Sequence, residues 1–347
     1  MIISTGRIYI LICLICGSQL SAQHQNMSVD SVETQTSALI IGLDGWDSSY
    51  VWASGTSGTV LRSEDGGNSW KEHVYEKADS LQFRAIKALS ATEALVMSAG
   101  EGAASQLLKF SVRDGWQHLY TMEHEDGFLD AIELFPNGTA IAYGDAIDSS
   151  YFILLSDTTF SNWKRIYKTP IPGVSEGGFA SSGTNIAIGE NGKAWIGTGA
   201  GGNANVLISE DYGQSWTIEE TPMVKGEAAG ITAIRQKNNY LFIAGGDLAI
   251  SMEYTDNLFF SDTNGKQWQA FDQPLTKGAF YGAAINPYNG ALQYIVCGPA
   301  GADIWLSKAL GWQKISSRDL WTVEFIDEQH ALLAGRNGYM IKVTLND

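Results

Sequence analysis

The chain contains 347 residues, with 22 basic and 38 acidic side chains and a formal net charge of −16. Such a surface repels phosphate backbones and anionic headgroups, which excludes nucleic acid and an anionic membrane surface as partners. Hydrophobic residues make up 44 % of the chain, and 38 Gly stand against 7 Pro, a composition typical of a globular all-β protein with many tight turns.

Residues 1–22 have the pattern of a secretory signal peptide. Arg7 supplies the positive start, residues 8–16 are apolar, and small residues precede a predicted cleavage after Ala22. The apolar run is too short to span a bilayer comfortably. We therefore expect an exported protein, periplasmic or secreted, without a transmembrane segment. Lipidation at Cys16 is disfavoured because no small residue stands directly before it.

One turn motif recurs along the rest of the chain. The pattern Ser-x-Asp-x-Gly-x-x-Trp occupies residues 63–70 and 209–216, and it returns at 261–268 with the Asp shifted by one position. Weaker copies end at Trp116, Trp163 and Trp312, so six Trp recur at intervals of 44 to 53 residues. This period is typical of the blades of a β-propeller.

A second series gives the number of blades. Seven apolar segments each end in Gly, from Gly55 to Gly335, whereas only six Trp turns exist. The mismatch is explained if residues 28–35 supply the outer strand that the last unit lacks, which would remove two open sheet edges. We predict a single all-β domain over 23–347, a seven-bladed β-propeller. Its blades are expected near 37–75, 83–122, 128–168, 177–221, 229–272, 278–316 and 320–344.

The recurring turn resembles the Asp-box of bacterial neuraminidase (BNR) repeats. The mature chain is similar to the propeller family that includes photosystem II assembly factors. Residues 128–132, 144–145, 176–185 and 195–199 resemble a secreted bacterial branch of that family, whose members often carry the label oxidoreductase. The resemblance implies the propeller fold, but propellers host many unrelated activities, so it does not fix a function.

The Asp-box residues are predicted to be structural. The Asp side chain accepts backbone amide hydrogen bonds, the Gly adopts positive φ, and the Trp fills the space between sheets. The residues assigned to this role are Asp65, Trp70, Asp211, Trp216, Asp262 and Trp268.

A functional site is expected on the opposite face, where loops between blades and loops after the Gly-ended strands converge on the central channel. Asp145 and Asp247 each follow a Gly at a strand end, and Glu176 lies in a long connection rich in Pro and Gly. These three are the candidates for catalysis. The predicted ligand-binding face comprises Arg84, Asp130, Asp145, Glu176, Glu227, Asp247, Arg318 and Arg336.

Three functions fit this face. The first is a binding or assembly module that presents an acidic surface to a protein or a glycan, expected to act as a monomer. The second is a glycoside hydrolase, which requires a pair of carboxylates. The third is an oxidoreductase, implied only by the family label. The Gly-rich residues 197–203 are followed by a strand and not by a helix, so they do not match a dinucleotide site.

No cofactor is evident from the sequence. Clustered carboxylates offer the oxygen ligands that Ca²⁺ prefers, so Ca²⁺ is a possible ligand of the acidic face. The ligands would come from different blades, and sequence spacing cannot assign them.

Overall fold

The computed structural model describes residues 27–75, 81–250 and 253–346. The predicted signal peptide lies outside these residues. The described chain forms 28 β-strands in seven four-stranded antiparallel sheets, and within six of the sheets the strands follow one another in chain order. This is the predicted seven-bladed propeller. Among the described residues, no helix has the length and apolar character needed to cross a membrane.

The strand bounds are as follows. The first strand, β1 (Met27–Val32), belongs to the last blade. Blade 1 contains β2 (Ile40–Gly45), β3 (Val51–Gly55), β4 (Thr59–Ser63) and β5 (Lys71–Val74). Blade 2 contains β6 (Gln82–Ala88), β7 (Glu93–Ala99), β8 (Gln106–Ser111) and β9 (Gly115–Thr121). Blade 3 contains β10 (Leu129–Leu134), β11 (Ala140–Ile147), β12 (Ser150–Ser156) and β13 (Trp163–Ile166). Blade 4 contains β14 (Ile186–Ile188), β15 (Ala194–Gly197), β16 (Asn205–Ser209) and β17 (Thr217–Glu220).

The remaining blades complete the ring. Blade 5 contains β18 (Ala229–Lys237), β19 (Tyr240–Asp247), β20 (Leu258–Ser261) and β21 (Gln269–Ala270). Blade 6 contains β22 (Gly282–Tyr288), β23 (Ala291–Gly298), β24 (Gly301–Trp305) and β25 (Trp312–Ser316). Blade 7 contains β26 (Leu320–Phe325), β27 (His330–Gly335) and β28 (Met340–Leu345), followed in the sheet by β1.

The ring is closed by the N-terminal strand, as predicted. Strand β1 pairs antiparallel with β28, from Met27 opposite Leu345 to Val32 opposite Met340. The strand ends at Val32, and Gln35 adopts a left-handed φ of 62°, so the pairing is shorter than the expected 28–35. Because the two strands come from opposite ends of the chain, the closure covers a sheet edge that each would otherwise expose.

The hydrophobic core lies between blades. Trp52 of blade 1, for example, packs in one cluster with Phe83 and Val96 of blade 2. The inner three strands of most blades are largely buried, whereas outer strands such as β5 are mostly exposed. Burial of apolar side chains against the neighbouring sheet therefore stabilises the ring as a whole.

The recurring Ser-x-Asp-x-Gly-x-x-Trp turns, called Asp-box turns for their resemblance to that motif, lie on one face, and each is stabilised by hydrogen bonds within the turn. Asp65 accepts hydrogen bonds from the amides of Asn68 (3.0 Å) and Ser69 (2.8 Å), and Ser63 Oγ accepts one from the amide of Gly67 (2.8 Å). Asp211 has equivalent contacts with Ser215. These bonds lower the pKa of both carboxyl groups despite the opposing effect of partial burial.

The third turn departs from the expected assignment. Asp262 is exposed, and the described hydrogen bonds of the turn do not involve its side chain. Thr263 stands in the position of Asp65, and its Oγ1 accepts a hydrogen bond from the amide of Gln267 at 2.8 Å. The structural role predicted for Asp262 therefore belongs to Thr263. The shift of the Asp by one position in the sequence already indicated this difference.

Candidate functional site

The predicted site residues lie at the rim of the face opposite the Asp-box turns, but they do not form one cluster. Asp130 and Asp145 come from the first two strands of blade 3, and Glu176 comes from the connection between blades 3 and 4. These three gather beside the segment 177–185. Asp247 and Glu227 lie apart from them, near blade 5.

The segment 177–185 plugs the mouth of the channel. It precedes β14, which is the shortest inner strand of the propeller at 3 residues. The Ser181 and Ser182 hydroxyls both donate to the carbonyl of Tyr281 in blade 6, at 3.1 and 2.7 Å. The Ala180 carbonyl accepts from Arg84 Nη1 of blade 2 at 3.0 Å. The segment therefore touches blades on opposite sides of the channel.

Glycine makes this path possible. A Cβ on Gly177 would lie 1.8 Å from Asp145 Oδ1, and a Cβ on Gly183 would lie 2.5 Å from the Cβ of Ala85. Gly183 also has a φ of +66°, which disfavours any larger side chain. The small residues of the segment allow the backbone to approach the inner strands closely.

Glu176 is buried, with 1 % of its surface exposed. Its Oε1 accepts hydrogen bonds from Thr198 Oγ1 at 2.5 Å and Asn205 Nδ2 at 2.9 Å. Its Oε2 accepts them from the Gly173 amide at 2.8 Å and Asn203 Nδ2 at 3.3 Å. Both oxygens are occupied by the protein itself, so Glu176 anchors the connection and has no oxygen free to act on a substrate.

Asp130 and Asp145 form the close carboxyl pair of the site. Asp130 is 1 % exposed. Burial and the neighbouring charge of Asp145 raise the pKa of Asp130 well above its ordinary value. Burial also raises the pKa of Asp145, while the Gly178 amide opposes this by donating to its Oδ1 at 3.0 Å. The two carboxyl groups are thus neighbours, and the charge of Asp145 disfavours ionisation of Asp130.

Arg84 lies beside this pair. Burial lowers the pKa of its guanidinium, and the nearby Asp130 opposes that shift. Its Nε and Nη2 donate hydrogen bonds to Gln82 Oε1, and its Nη1 donates one to the Ala180 carbonyl of the plug. Arg84 therefore fastens the plug, and it does not present its charge freely to a ligand.

Two further polar side chains of the site were not expected from the sequence. Neither amide atom of Asn185 has a hydrogen-bond partner within the described part of the chain, and the same is true of the Tyr143 hydroxyl. Both residues are fully buried. Asn185 lies at the end of the Gly-Gly-Phe-Ala-Ser-Ser-Gly-Thr run, which carried part of the family resemblance but did not predict a plug.

The remaining predicted residues make local contacts. Asp247 Oδ1 accepts from the Ala249 amide of its own loop at 2.9 Å, and Glu227 is exposed. Arg336 forms an ion pair with Asp319 and lies 5.8 Å from the ring centre of Trp321. Arg318 lies 4.6 Å over the ring of Tyr339. The two exposed arginines are thus held on aromatic surfaces of blade 7.

A second charged cluster fills the channel toward its other end, and no sequence motif indicated it. Lys87 Nζ lies 2.6 Å from Asp44 and 3.0 Å from Glu133. Arg235 Nη2 lies 2.8 Å from Glu324. Burial opposes the charge of Lys87, but the surrounding carboxylates raise its pKa. The pairing across inner strands makes this cluster a structural feature of the channel.

In the described ranges, no group of three or more His, Cys, Asp or Glu side chains is arranged to hold a metal ion. The carboxylates of the rim come from different blades, and Glu176, Asp145 and Asp247 accept hydrogen bonds from backbone amides. The candidate site is therefore a plugged channel mouth that is ringed by exposed charges.

Comparisons with known proteins agree with this architecture. No family model matches the chain, and no curated protein matches its sequence. A structure described as YCF48 bound to D1 peptide has a TM-score of 0.66 and 15 % identity, and the match covers 92 % of this chain and 97 % of that one. YCF48 from Cyanidioschyzon merolae has a TM-score of 0.65 and 16 % identity, with 92 % and 99 % covered. The chain thus has the propeller fold of these proteins over nearly their whole length, as the resemblance of the mature chain to the photosystem II assembly factor family implied.

Proposed function

We propose that this protein is a binding or assembly module, acting outside the cytoplasm as a monomer, that receives a protein segment on its channel-mouth face. The main observation behind this proposal is the plug, the segment 177–185 at the mouth of the channel. Because residues 177–185 bridge from blade 2 to blade 6 across the mouth of the channel, a ligand has to lie across the face and not inside the ring. A face of this kind suits an extended or folded protein segment.

The distribution of exposed charge supports a polar partner. The rims of blades 2 to 5 carry exposed carboxylates, namely Glu101, Glu125, Asp126, Asp148, Glu227 and Asp256. The rims of blades 6 and 7 carry the exposed cations Lys277, Arg318 and Arg336. A partner with basic groups on one side and acidic groups on the other would be oriented by these fields.

The similar structure with a bound peptide adds to the proposal, since the same fold there carries a peptide ligand. The extracytoplasmic location rests on the signal-peptide pattern of residues 1–22. A glycan remains the alternative ligand of the same face.

Glycoside hydrolysis is the alternative activity. Hydrolysis is the less favoured function, because the candidate carboxylates are engaged by the protein itself. Both oxygens of Glu176 accept hydrogen bonds, and Asp145 and Asp247 each accept one from a backbone amide. A screen of polysaccharides with the native protein and an Asp145→Asn variant tests it directly. Sugar release that is lost in the variant would replace the binding proposal with a hydrolase.

Position-specific crosslinking tests the binding proposal itself. A photoreactive residue is placed at Glu227 or Arg318 on the channel-mouth face, and at Gln214 on the Asp-box face as the matched control; all three side chains are exposed. After irradiation in the native host, we expect a discrete protein adduct from the first two positions and none from the control. Adducts of equal yield from both faces, or none from the channel mouth, would refute the assigned face.

A further inference from the structure

The connection between blades 3 and 4 presents three large apolar side chains to solvent. Tyr167 is 71 % exposed, Ile171 81 % and Val174 86 %, whereas no other large apolar side chain in the described ranges exceeds 55 %. Apolar side chains stabilise a fold when they are buried, so these three give the propeller little stability. Exposed apolar side chains concentrated in one segment are typical of a contact surface.

The connection is held in one shape. Pro170 and Pro172 stand on either side of Ile171 and fix two backbone φ angles. Directly after them, the Gly173 amide donates to Glu176 Oε2 at 2.8 Å, and the Glu176 amide donates to the Gly173 carbonyl at 3.2 Å. The buried carboxylate of Glu176 therefore fastens the segment that carries the exposed side chains.

The end of the connection packs on the neighbouring turn of blade 4. A Cβ on Gly201 would lie 1.9 Å from the Val174 carbonyl oxygen, so the two backbones are in close contact. Asn203 of the same turn donates to Glu176 Oε2. Ile171 and Val174 are thus carried on a fixed backbone, and a preorganised surface loses less entropy when it binds a partner.

The same segment is a basic island in an acidic protein. Residues 158–175 contain Lys164, Arg165 and Lys168 and no acidic residue, although the chain has a net charge of −16. The Arg165 guanidinium lies 5.0 Å from the centre of the Tyr167 ring, so positive charge borders the apolar surface. In the part of the chain that the structure describes, none of these three cations forms an ion pair. A partner with carboxylates beside its apolar side chains would complement this charge.

A protein surface fits these features better than a lipid surface. Two aliphatic side chains and one phenol bury less hydrocarbon than a single myristoyl chain, which by itself gives only marginal membrane binding. The net charge of −16 also repels anionic headgroups. In a protein interface, by contrast, a few well-packed side chains can supply most of the binding free energy.

We infer that Tyr167, Ile171 and Val174 form the apolar anchor of the channel-mouth interface, and that the partner segment they contact is apolar and acidic. This inference rests on the proposed binding function and specifies where on the face the partner is held most tightly. Ile171 and Val174 enter an apolar depression of the partner, and its carboxylates meet Arg165 and Lys168.

Photo-crosslinking at Tyr167 tests this inference, because p-benzoylphenylalanine resembles tyrosine in shape and the side chain is exposed. In the native host we expect an adduct whose yield falls about ten-fold or more in the Ile171→Ser/Val174→Ser double variant. Val112→Ser is the matched control, since Val112 is a 43 % exposed apolar residue between β8 and β9 on the Asp-box face. An unchanged yield in the double variant, or an equal fall in the control, would overturn the inference.

The chemistry of the partner is tested on the same adduct. Mass spectrometry should identify a crosslinked segment with apolar residues and more Asp and Glu than Lys and Arg, and a basic segment would overturn the inference. Lys164→Glu/Lys168→Glu should lower the yield about three-fold or more. Asp148 is an exposed carboxylate in the adjacent turn, where Ser150 lies 3.5 Å from Thr169, so Asp148→Asn should raise the yield. Changes in the opposite directions would refute the charge argument.

The outcomes separate this inference from the proposed function. Adducts at Glu227 and Arg318 that persist at full yield in the double variant would leave the binding function standing and remove the anchor. Absence of adducts from all three positions would refute both. Co-sedimentation with vesicles of phosphatidylcholine and phosphatidylglycerol forms a separate arm, and vesicle binding that is lost in the double variant would overturn the assignment to a protein partner. Thermal unfolding of each variant shows whether it is folded.

Discussion

Replacement of Glu176 by Gln should destabilise the protein, because the carboxylate is a structural acceptor. Glu176→Gln keeps the shape of the side chain but turns one oxygen into a donor. In the position of Oε1, the new NH₂ group faces the donors Thr198 and Asn205. In the position of Oε2, it faces the donors Gly173 and Asn203.

The size of the effect follows from these contacts. A hydrogen bond to a charged group contributes about 1.5–3 kcal/mol, and a buried donor left without a partner costs about 1–3 kcal/mol. We therefore expect Glu176→Gln to lower the free energy of unfolding by about 2–4 kcal/mol. For a chain of this length, each kcal/mol shifts Tm by about 1.5 °C, so Tm should fall by about 3–6 °C.

Thermal and urea unfolding followed by circular dichroism measure this change. Glu227→Gln is the matched control, since Glu227 is an exposed carboxylate on the same face, and we expect it to change stability by less than about 0.5 kcal/mol. Active-site carboxylates are commonly held at a cost in stability. If Glu176→Gln were as stable as the native protein or more stable, the anchoring role would be wrong and a functional role for Glu176 would be reinstated.

Three other expectations follow from the structure. The folded-state pKa of Asp130 is raised, so the native protein should lose stability as pH rises above about 4 toward that higher pKa. The Asp130→Asn variant should show a flatter decline and should be more stable than the native protein in urea titrations at pH 8. Thr263→Asp restores an Asp-box acceptor and should stabilise the fold by about 1 kcal/mol, whereas Asp65→Ala should lower Tm; an unchanged Tm in both would contradict the role given to the turns. Deletion of Met27–Val32 uncovers the edge of β28, and light scattering should then show association that increases with protein concentration.

The overall fold was predictable because the turn motif repeats. Two complete motifs, one altered copy and three weaker copies place six Trp at a blade-like interval, and the seven Gly-ended segments set the number of blades. The Thr263 turn shows the limit of this reading, since Thr replaces Asp in the same hydrogen-bonding position.

The candidate site was predictable only in part. The rim position of Asp130 and Asp145 follows from the strand pattern, because β10 and β11 pair next to each other. The plug does not follow from it, since Ser182 contacts Tyr281 across the channel, 99 residues away in sequence. Such contacts depend on how far the small residues of the segment allow its backbone to enter the ring. The spacing of residues along the sequence does not predict that distance.

The pairing of β1 with β28 joins segments from far apart in the chain, and we expect it to form late in folding. Ser31 and Ile341 meet across 310 residues, so the ring cannot close until the other six blades are in place. Loop-closure entropy grows slowly with length, but long-range β pairing is intrinsically slow. A pulling force applied at the two termini would load this one sheet first. Rupture there would open the ring at the seventh blade while the internal hairpins of the other six remain paired.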